Sequence, residues 1–213
     1  MRMKRCVIVG GAEIRDAAFV RKYLKKEDYM VYCDCGLKHK EALRREPDLI
    51  VGDFDSFPNP HAEAETIELP VIKDDTDTVY AVKEALSRGF ESFLLLGVSG
   101  GRLDHTLGNL SLLLMLDTLG KKARLVDDYS EMEIVSGKEA KVSDKWAYFS
   151  LLNISGEAEG ITITDAKYEL EDAEIDCDWQ YGVSNEPLPG KKSRIRVAKG
   201  RLLLVRVRGD IEV

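Results

Sequence analysis

The chain has no run of about 18 apolar residues, so no membrane-spanning helix is expected. Its longest apolar patch, Leu110 to Leu116, is interrupted by Ser111 and suits a buried helix instead. The first residues, Met1-Arg2-Met3-Lys4-Arg5-Cys6, are basic and are followed by a short apolar stretch, too brief for the hydrophobic segment of a signal peptide. Cysteine is scarce: Cys6, Cys33, Cys35 and Cys177 form no CxxC pair and lack histidines at zinc-ligand spacing. Reduced thiols in a cytoplasmic protein are the expectation, not a disulfide framework. Positive charge is also in short supply. Lys and Arg number 31 against 38 Asp and Glu, a net charge of −7, so no basic stripe exists to track a nucleic-acid backbone. A phosphate-bearing small ligand would need local cations or a metal.

What is present is a globular composition: 213 residues, 44% hydrophobic and 32% charged, enough to bury one large core or two small ones. The two halves have different rhythms. Up to about Val126, short apolar runs (Val7 to Val9, Met30 to Cys33, Asp48 to Val51, Phe93 to Leu96, Arg124 to Val126) alternate with helical patterns. The helical patterns are Ala17 to Leu24, Leu37 to Leu43, Asp77 to Arg88 and Asp104 to Leu119. Such alternation predicts a doubly wound, mostly parallel α/β sheet. After Asp127-Asp128 only strand patterns follow: Met132 to Val135, Trp146 to Leu152, Glu159 to Ile163, and Arg194 to Val197 with Leu202 to Arg208 as a hairpin across Ala198-Lys199-Gly200. A small all-β sandwich is expected there. The domains are therefore read as 1–128 and 129–213.

Three segments carry chemistry. Val51-Gly52-Asp53-Phe54-Asp55-Ser56 follows a strand directly, where parallel sheets bind ligands. Asp53 and Asp55 project to one side if the segment stays extended, and two carboxylates repel unless a cation lies between them; the plainer reading is an Asp-capped turn. Lys73-Asp74-Asp75-Thr76-Asp77-Thr78 precedes a helix. Asp75, Thr76 or Asp77 could each cap it, but three acids in four residues exceed what a cap needs. Gly97-Val98-Ser99-Gly100-Gly101-Arg102-Leu103-Asp104-His105 lies between a strand and a helix. Its glycines let backbone N–H groups approach phosphate oxygens, and Arg102 can hold a phosphate through two bonds. GxxxxGK[ST] is absent, so this is no Walker A loop. Six aspartates and a polyphosphate are electrostatically compatible only with a divalent ion between them. Mg²⁺-dependent chemistry on a nucleotide's phosphates follows.

The chain resembles thiamine pyrophosphokinases. The resemblance rests on Asp48-Leu49-Ile50-Val51-Gly52-Asp53-Phe54-Asp55-Ser56, Lys73-Asp74-Asp75-Thr76-Asp77, Gly100-Gly101-Arg102-Leu103-Asp104-His105-Thr106-Leu107-Gly108-Asn109 and Gly182-Val183-Ser184-Asn185-Glu186, in that order. It implies an enzyme that moves the diphosphate of ATP to the thiamine hydroxyl and releases AMP, working as a homodimer with thiamine between the catalytic domain of one subunit and the sandwich of the other. Carried over, Asp53, Asp55, Asp74 and Asp77 would hold Mg²⁺ and act catalytically, with Asp104 close by. Gly100, Gly101, Arg102, Lys73 and His105 would meet ATP, and Asp34 and Gly36 match a turn near the nucleotide. Tyr168, Ser184 and Asn185 would meet thiamine, with Trp179 and Tyr181 as alternative stacking rings. Cys35 stands where the family usually has Gly, and Asp75 where it has Gln or Glu. A diphosphokinase for another heterocyclic alcohol such as a pterin, and a non-catalytic thiamine or nucleotide sensor, are the competing readings.

Overall fold

The structure, a computed structural model, describes residues 5–54, 63–72 and 74–209. It divides into two compact units, Met1–Asp128 and Tyr129–Val213.

The first unit runs β1 (Cys6–Val9), α1 (Ala17–Arg21), β2 (Tyr29–Cys33), a 3₁₀ helix (Asp34–His39) continuing as α2 (Lys40–Leu43), β3 (Leu49–Gly52), β4 (Glu65–Glu68), α3 (Asp77–Ser87), β5 (Ser92–Leu96), α4 (Leu103–Thr118) and β6 (Lys122–Val126). Its strands lie in the order β4-β3-β2-β1-β5-β6, every neighbouring pair parallel. Val7, Val9, Met30, Tyr32, Leu94 and Leu96 pack with Val20 of α1 and Leu43 of α2 on one face. On the other, α3 packs across β1, β2 and β3 through an element whose Ala81, Val82 and Ala85 are buried. The central strands are thus covered on both sides, which is why they read as unbroken apolar runs. β4, Glu65-Thr66-Ile67-Glu68, is a half-exposed edge strand paired with β3, and its polar ends leave no apolar run to read.

The expected helix over Leu37 to Leu43 begins earlier and tighter. Asp34 adopts φ +36°, a left-handed conformation that Asp tolerates better than most side chains. A Cβ on Gly36 would lie 2.2 Å from the carbonyl oxygen of Val9, so the 3₁₀ turn sits directly on the β1 backbone. Of the cap candidates before α3, Thr76 takes the role, its hydroxyl accepting from the Val79 N–H at 3.3 Å. α4 buries Asn109, Leu112, Leu113 and Leu116 while Leu103 and Leu107 stand exposed. Among the described residues no helix is long and apolar enough to cross a membrane.

The second unit holds β7 (Ser130–Val135), β8 (Ala140–Ser143), β9 (Tyr148–Leu152), β10 (Ala158–Thr164), β11 (Leu170–Ile175), β12 (Lys192–Arg196) and β13 (Leu202–Val207). These form two antiparallel layers, β7-β13-β9 and β11-β10-β12-β8. Val135, Phe149, Leu151, Leu202 and Leu204 from the first meet Val142, Ile161, Ile163, Ile175 and Ile195 from the second in one core. The expected β12–β13 hairpin does not form. β12 pairs with β10 and β8, and β13 with β7 and β9, so the intervening segment crosses between layers. It docks on β10 instead: the N–H groups of Ala198 and Lys199 both donate to the Glu159 carbonyl at 3.1 Å.

Candidate active site

The strand order turns around at β1. From there β2, β3 and β4 extend one way and β5 and β6 the other, so chain exits diverge and leave a crevice at the carboxyl ends. A cavity of about 570 Å³ lies there. It is walled by Gly10 to Glu13 after β1, Cys33 to Cys35 at the end of β2, Thr76 to Thr78 opening α3, and Gly97 and Val98 after β5. Gly100, Gly101, Arg102, His105 and Asn109 complete the lining. The exits of β1 and β5 cross so closely that a Cβ on Gly10 would stand 2.7 Å from the Gly97 carbonyl oxygen. Asn109, buried in α4, donates its amide to the Val98 carbonyl at 2.7 Å and pins the loop that follows β5. Thr106 does the same at the helix entrance: its hydroxyl accepts from the Gly100 N–H at 3.0 Å.

Three carboxylates converge where Asp34 and Asp77 line this cavity. Asp34, Asp53 and Asp77 each bring one oxygen within 4.8 Å of the others. They come from the ends of β2 and β3 and the start of α3, so the sheet order juxtaposes residues far apart in sequence. Asp34 is buried, and its Oδ1 has no hydrogen-bond partner among the described residues, while its Oδ2 accepts from the Cys35 thiol at 3.3 Å. A buried carboxylate oxygen without a donor, beside two more carboxylates, suits a hard divalent cation. The donors are all oxygen, the set that Mg²⁺ prefers. Cys33 lies beside them with its Sγ 3.7 Å from the Asp77 carbonyl oxygen, and burial pushes this thiol well up, so it stays protonated.

The sequence-derived candidates divide accordingly. Asp53 and Asp77 are brought together, and Asp34, expected at the nucleotide turn, joins them. Asp74 is exposed and stands outside this group. Asp55 and Lys73 lie outside the described residues. Asp75 forms an ion pair with Lys83 at 2.6 Å. Gly100, Gly101, Arg102 and His105 line the cavity, whereas Gly36 supports Asp34 from beneath. Asp104 turns outward and pairs with Arg102, whose guanidinium holds its carboxyl down at about 2. Arg102 is thus extended into solvent and held by a partner that a phosphate can replace. The Gly10 to Glu13 wall, Thr76, Thr78 and Asn109 were not among the candidates. The Gly10-Gly11 pair directly after an apolar strand is the signal that would have found the first of these.

In the second unit, Tyr168 is 60% exposed, its ring lying 5.6 Å from the Lys167 ammonium. Trp179 and Tyr181 are exposed too, so none of the three aromatics is core. Ser184 is exposed at φ +58°, with its N–H donating to the Ser150 hydroxyl. Asn185 is buried. Its amide nitrogen donates to the Tyr168 carbonyl at 2.7 Å and its oxygen accepts from the N–H groups of Tyr168 and Glu186. The side chain expected to meet a ligand thus also holds the backbone of Tyr168.

Comparison with known proteins agrees across both units. Residues 20–125 match the family described as "Thiamin pyrophosphokinase, catalytic domain", and residues 134–202 match "Thiamin pyrophosphokinase, vitamin B1 binding domain". A thiamine pyrophosphokinase of Bacillus subtilis (strain 168) is 29% identical over 163 residues, covering 73% of this chain and 76% of the relative. The crystal structure of thiamine pyrophosphokinase from Bacillus subtilis superposes with a TM-score of 0.85 at 25% identity, covering 98% of this chain and 100% of that one. That of the yeast enzyme has the same fold at 14% identity, with a TM-score of 0.74 over 97% of this chain and 87% of that one. The chain belongs to the thiamine pyrophosphokinase family, enzymes that form thiamine diphosphate from thiamine.

Proposed function

We propose that the chain transfers the diphosphate of ATP to the hydroxyl of thiamine and releases AMP, with Mg²⁺ held by Asp34, Asp53 and Asp77. The carrying observation is the group of three carboxylates beyond the carboxyl ends of β2 and β3, of which Asp34 and Asp77 line a cavity walled by glycine-rich turns. An isolated acidic trio destabilises a fold, and a nucleotide's phosphates would be repelled by it. Both objections vanish with a divalent cation, which supplies neutralisation of the crowded phosphate oxygens when bound.

The protein's own groups do the rest. The thiamine hydroxyl is a poor nucleophile, so the gain must come from alignment and electrostatics. The turn that Gly100 and Gly101 make into α4 offers the Gly101 N–H and a helix N-terminus to phosphate oxygens, while the Gly100 N–H is held by Thr106. Arg102 would exchange the Asp104 carboxylate for a phosphate, trading one anion for a more highly charged one. Tyr168, Trp179 or Tyr181 would supply an exposed aromatic face for thiamine in the second unit, with Ser184 beside it. A homodimer is the expected assembly, supported by Leu103 and Leu107, which leave an apolar stripe uncovered on α4.

A product assay tests the reading. The protein is incubated with ATP, Mg²⁺ and thiamine, and nucleotides and thiamine species are separated. Equal amounts of AMP and thiamine diphosphate, both lost with EDTA, are expected. ADP with thiamine monophosphate would overturn the assignment of the attacked phosphorus, and transfer to a pterin alcohol in place of thiamine would overturn the acceptor.

A further inference from the structure

The Gly10 to Glu13 wall of the cavity is held from two sides. Toward β5, the N–H groups of Gly10 and Ala12 donate to the carbonyls of Leu96 and Gly97, each at 2.8 Å. On the other side, the Gly11 and Ala12 carbonyls meet side chains of the 3₁₀ helix. Gly11 accepts from the Lys38 ammonium, and Ala12 lies 2.7 Å from Nε2 of His39. A carbonyl only accepts, so Nε2 carries the hydrogen there. The two tethers differ in stiffness. Lys38 is a long side chain at the surface, whereas His39 is 6% exposed and has two rotatable bonds. Burial also lowers the pKa of His39, which keeps the ring neutral in the tautomer the bond requires.

The 3₁₀ helix from Asp34 to His39 thus bears on the site at both ends. Asp34 opens it and contributes a carboxylate to the group of three, and His39 closes it and grips the wall facing them. Between them, the Cys35 Cβ stands 2.7 Å from where a Cβ on Gly11 would be, so helix and wall are also in direct contact. We propose that His39 is a positioning residue for nucleotide binding, which fixes the Gly10 to Glu13 wall through the Ala12 carbonyl and sets its distance from the three carboxylates.

The inference rests on the ATP reading above, and its test separates the two. Wild type, His39→Leu and His39→Gln are compared by steady-state kinetics and by calorimetric titration with Mg·ATP in the absence of thiamine. Gln can place an amide N–H near the position of Nε2, and Leu cannot. His39→Leu is expected to raise the KM for ATP about 10-fold, the scale of one lost hydrogen bond at a buried carbonyl, with kcat and the KM for thiamine changed less than about 3-fold. His39→Gln should recover most of the ATP affinity. A loss of kcat with both KM values unchanged would mark a merely structural role and overturn the inference, as would a Gln variant as impaired as Leu. Should His39→Leu not fold, His39→Asn, whose amide falls short of Ala12, takes its place with the same expectation. Wild-type protein that does not bind Mg·ATP overturns the nucleotide reading and this inference with it. Equal ATP affinity in wild type and His39→Leu overturns the inference alone.

Discussion

Replacing Asp34 by Asn separates the two things the carboxylate group does. Its oxygens lie within 4.8 Å of one another. At that distance a pair of unit charges repels by about 3.5 kcal/mol at an effective dielectric of 20 and about 0.9 kcal/mol in water. Asp34 takes part in two such pairs, and the cavity is open to solvent, so the lower part of that range applies: about 2 kcal/mol of relief. The substitution costs little elsewhere. Asn tolerates φ +36° as well as Asp does, its oxygen can keep the Cys35 thiol, and its NH₂ adds a donor facing two carboxylates. Without metal the variant should therefore be more stable than wild type, by roughly 6 °C in the midpoint of the first unit. Saturating Mg²⁺ should stabilise wild type and leave the variant nearly unmoved, because binding to the native state alone is what raises stability. Turnover should fall by at least ~100-fold, the scale of losing one key electrostatic group. Scanning calorimetry in EDTA and in Mg²⁺, with the product assay, reads all three. A variant less stable than wild type in EDTA, or one that gains as much from Mg²⁺, would refute the argument that these carboxylates are poised for a cation.

Gly36→Ala should lower both turnover and the stability of the first unit. The new Cβ must retreat about 0.8 Å from the Val9 carbonyl to reach even 3.0 Å, which shifts Asp34 against Asp53 and Asp77. We expect a loss of about 2 kcal/mol and about 100-fold in turnover, and wild-type behaviour in both assays would contradict the geometry. Asn185→Ala removes three hydrogen bonds from a buried position, two of them to the backbone of Tyr168. The second unit should lose about 3 kcal/mol in denaturant unfolding, and a loss under 1 kcal/mol would mean the network is dispensable. His39 has its pKa lowered from the usual 6.5, first by burial and then by Lys38, against the opposing pull of the Ala12 carbonyl, Asp128 and Glu13. The unfolded chain therefore binds the proton more readily. Stability should fall as the pH drops below about 6.5, at up to ~1.4 kcal/mol per pH unit until the folded pKa is passed. Urea unfolding between pH 5 and 7.5 should show that slope, flattened in His39→Gln.

Elements buried on two faces were legible because burial leaves an unbroken apolar run. Val7 to Val9, Met30 to Cys33 and Phe93 to Leu96 are such runs, and each is a central strand. β4 was not legible, since an edge strand needs no apolar run, and Glu65-Thr66-Ile67-Glu68 has none. The β12–β13 turn misled for a different reason. Ala198-Lys199-Gly200 has the composition of a hairpin loop, but which neighbour each strand pairs with depends on the register and packing of both layers. Tyr168, Trp179 and Tyr181 were pointed to by the resemblance alone, because side-chain type sets what a residue gains by burial and not whether room exists for it, and the structure leaves all three exposed.

The acids show the same division within one site. Local chemistry points to two acidic segments, Asp53 and Asp55 after a strand and Asp74, Asp75 and Asp77 before a helix, without choosing among their members. That Asp34 joins them, that Asp74 stays outside, and that Asp104 turns to Arg102 are consequences of sheet order and of a 3₁₀ turn seated on β1. Sequence by itself determined the class of fold and the strand-end acidic segments, because these rest on short-range patterns of burial and turn chemistry, and it pointed to the family through four motifs in order. Only the tertiary structure decided which carboxylates face one another, which aromatics are exposed and where His39 reaches. Those depend on distances between segments tens of residues apart, and no local pattern encodes them.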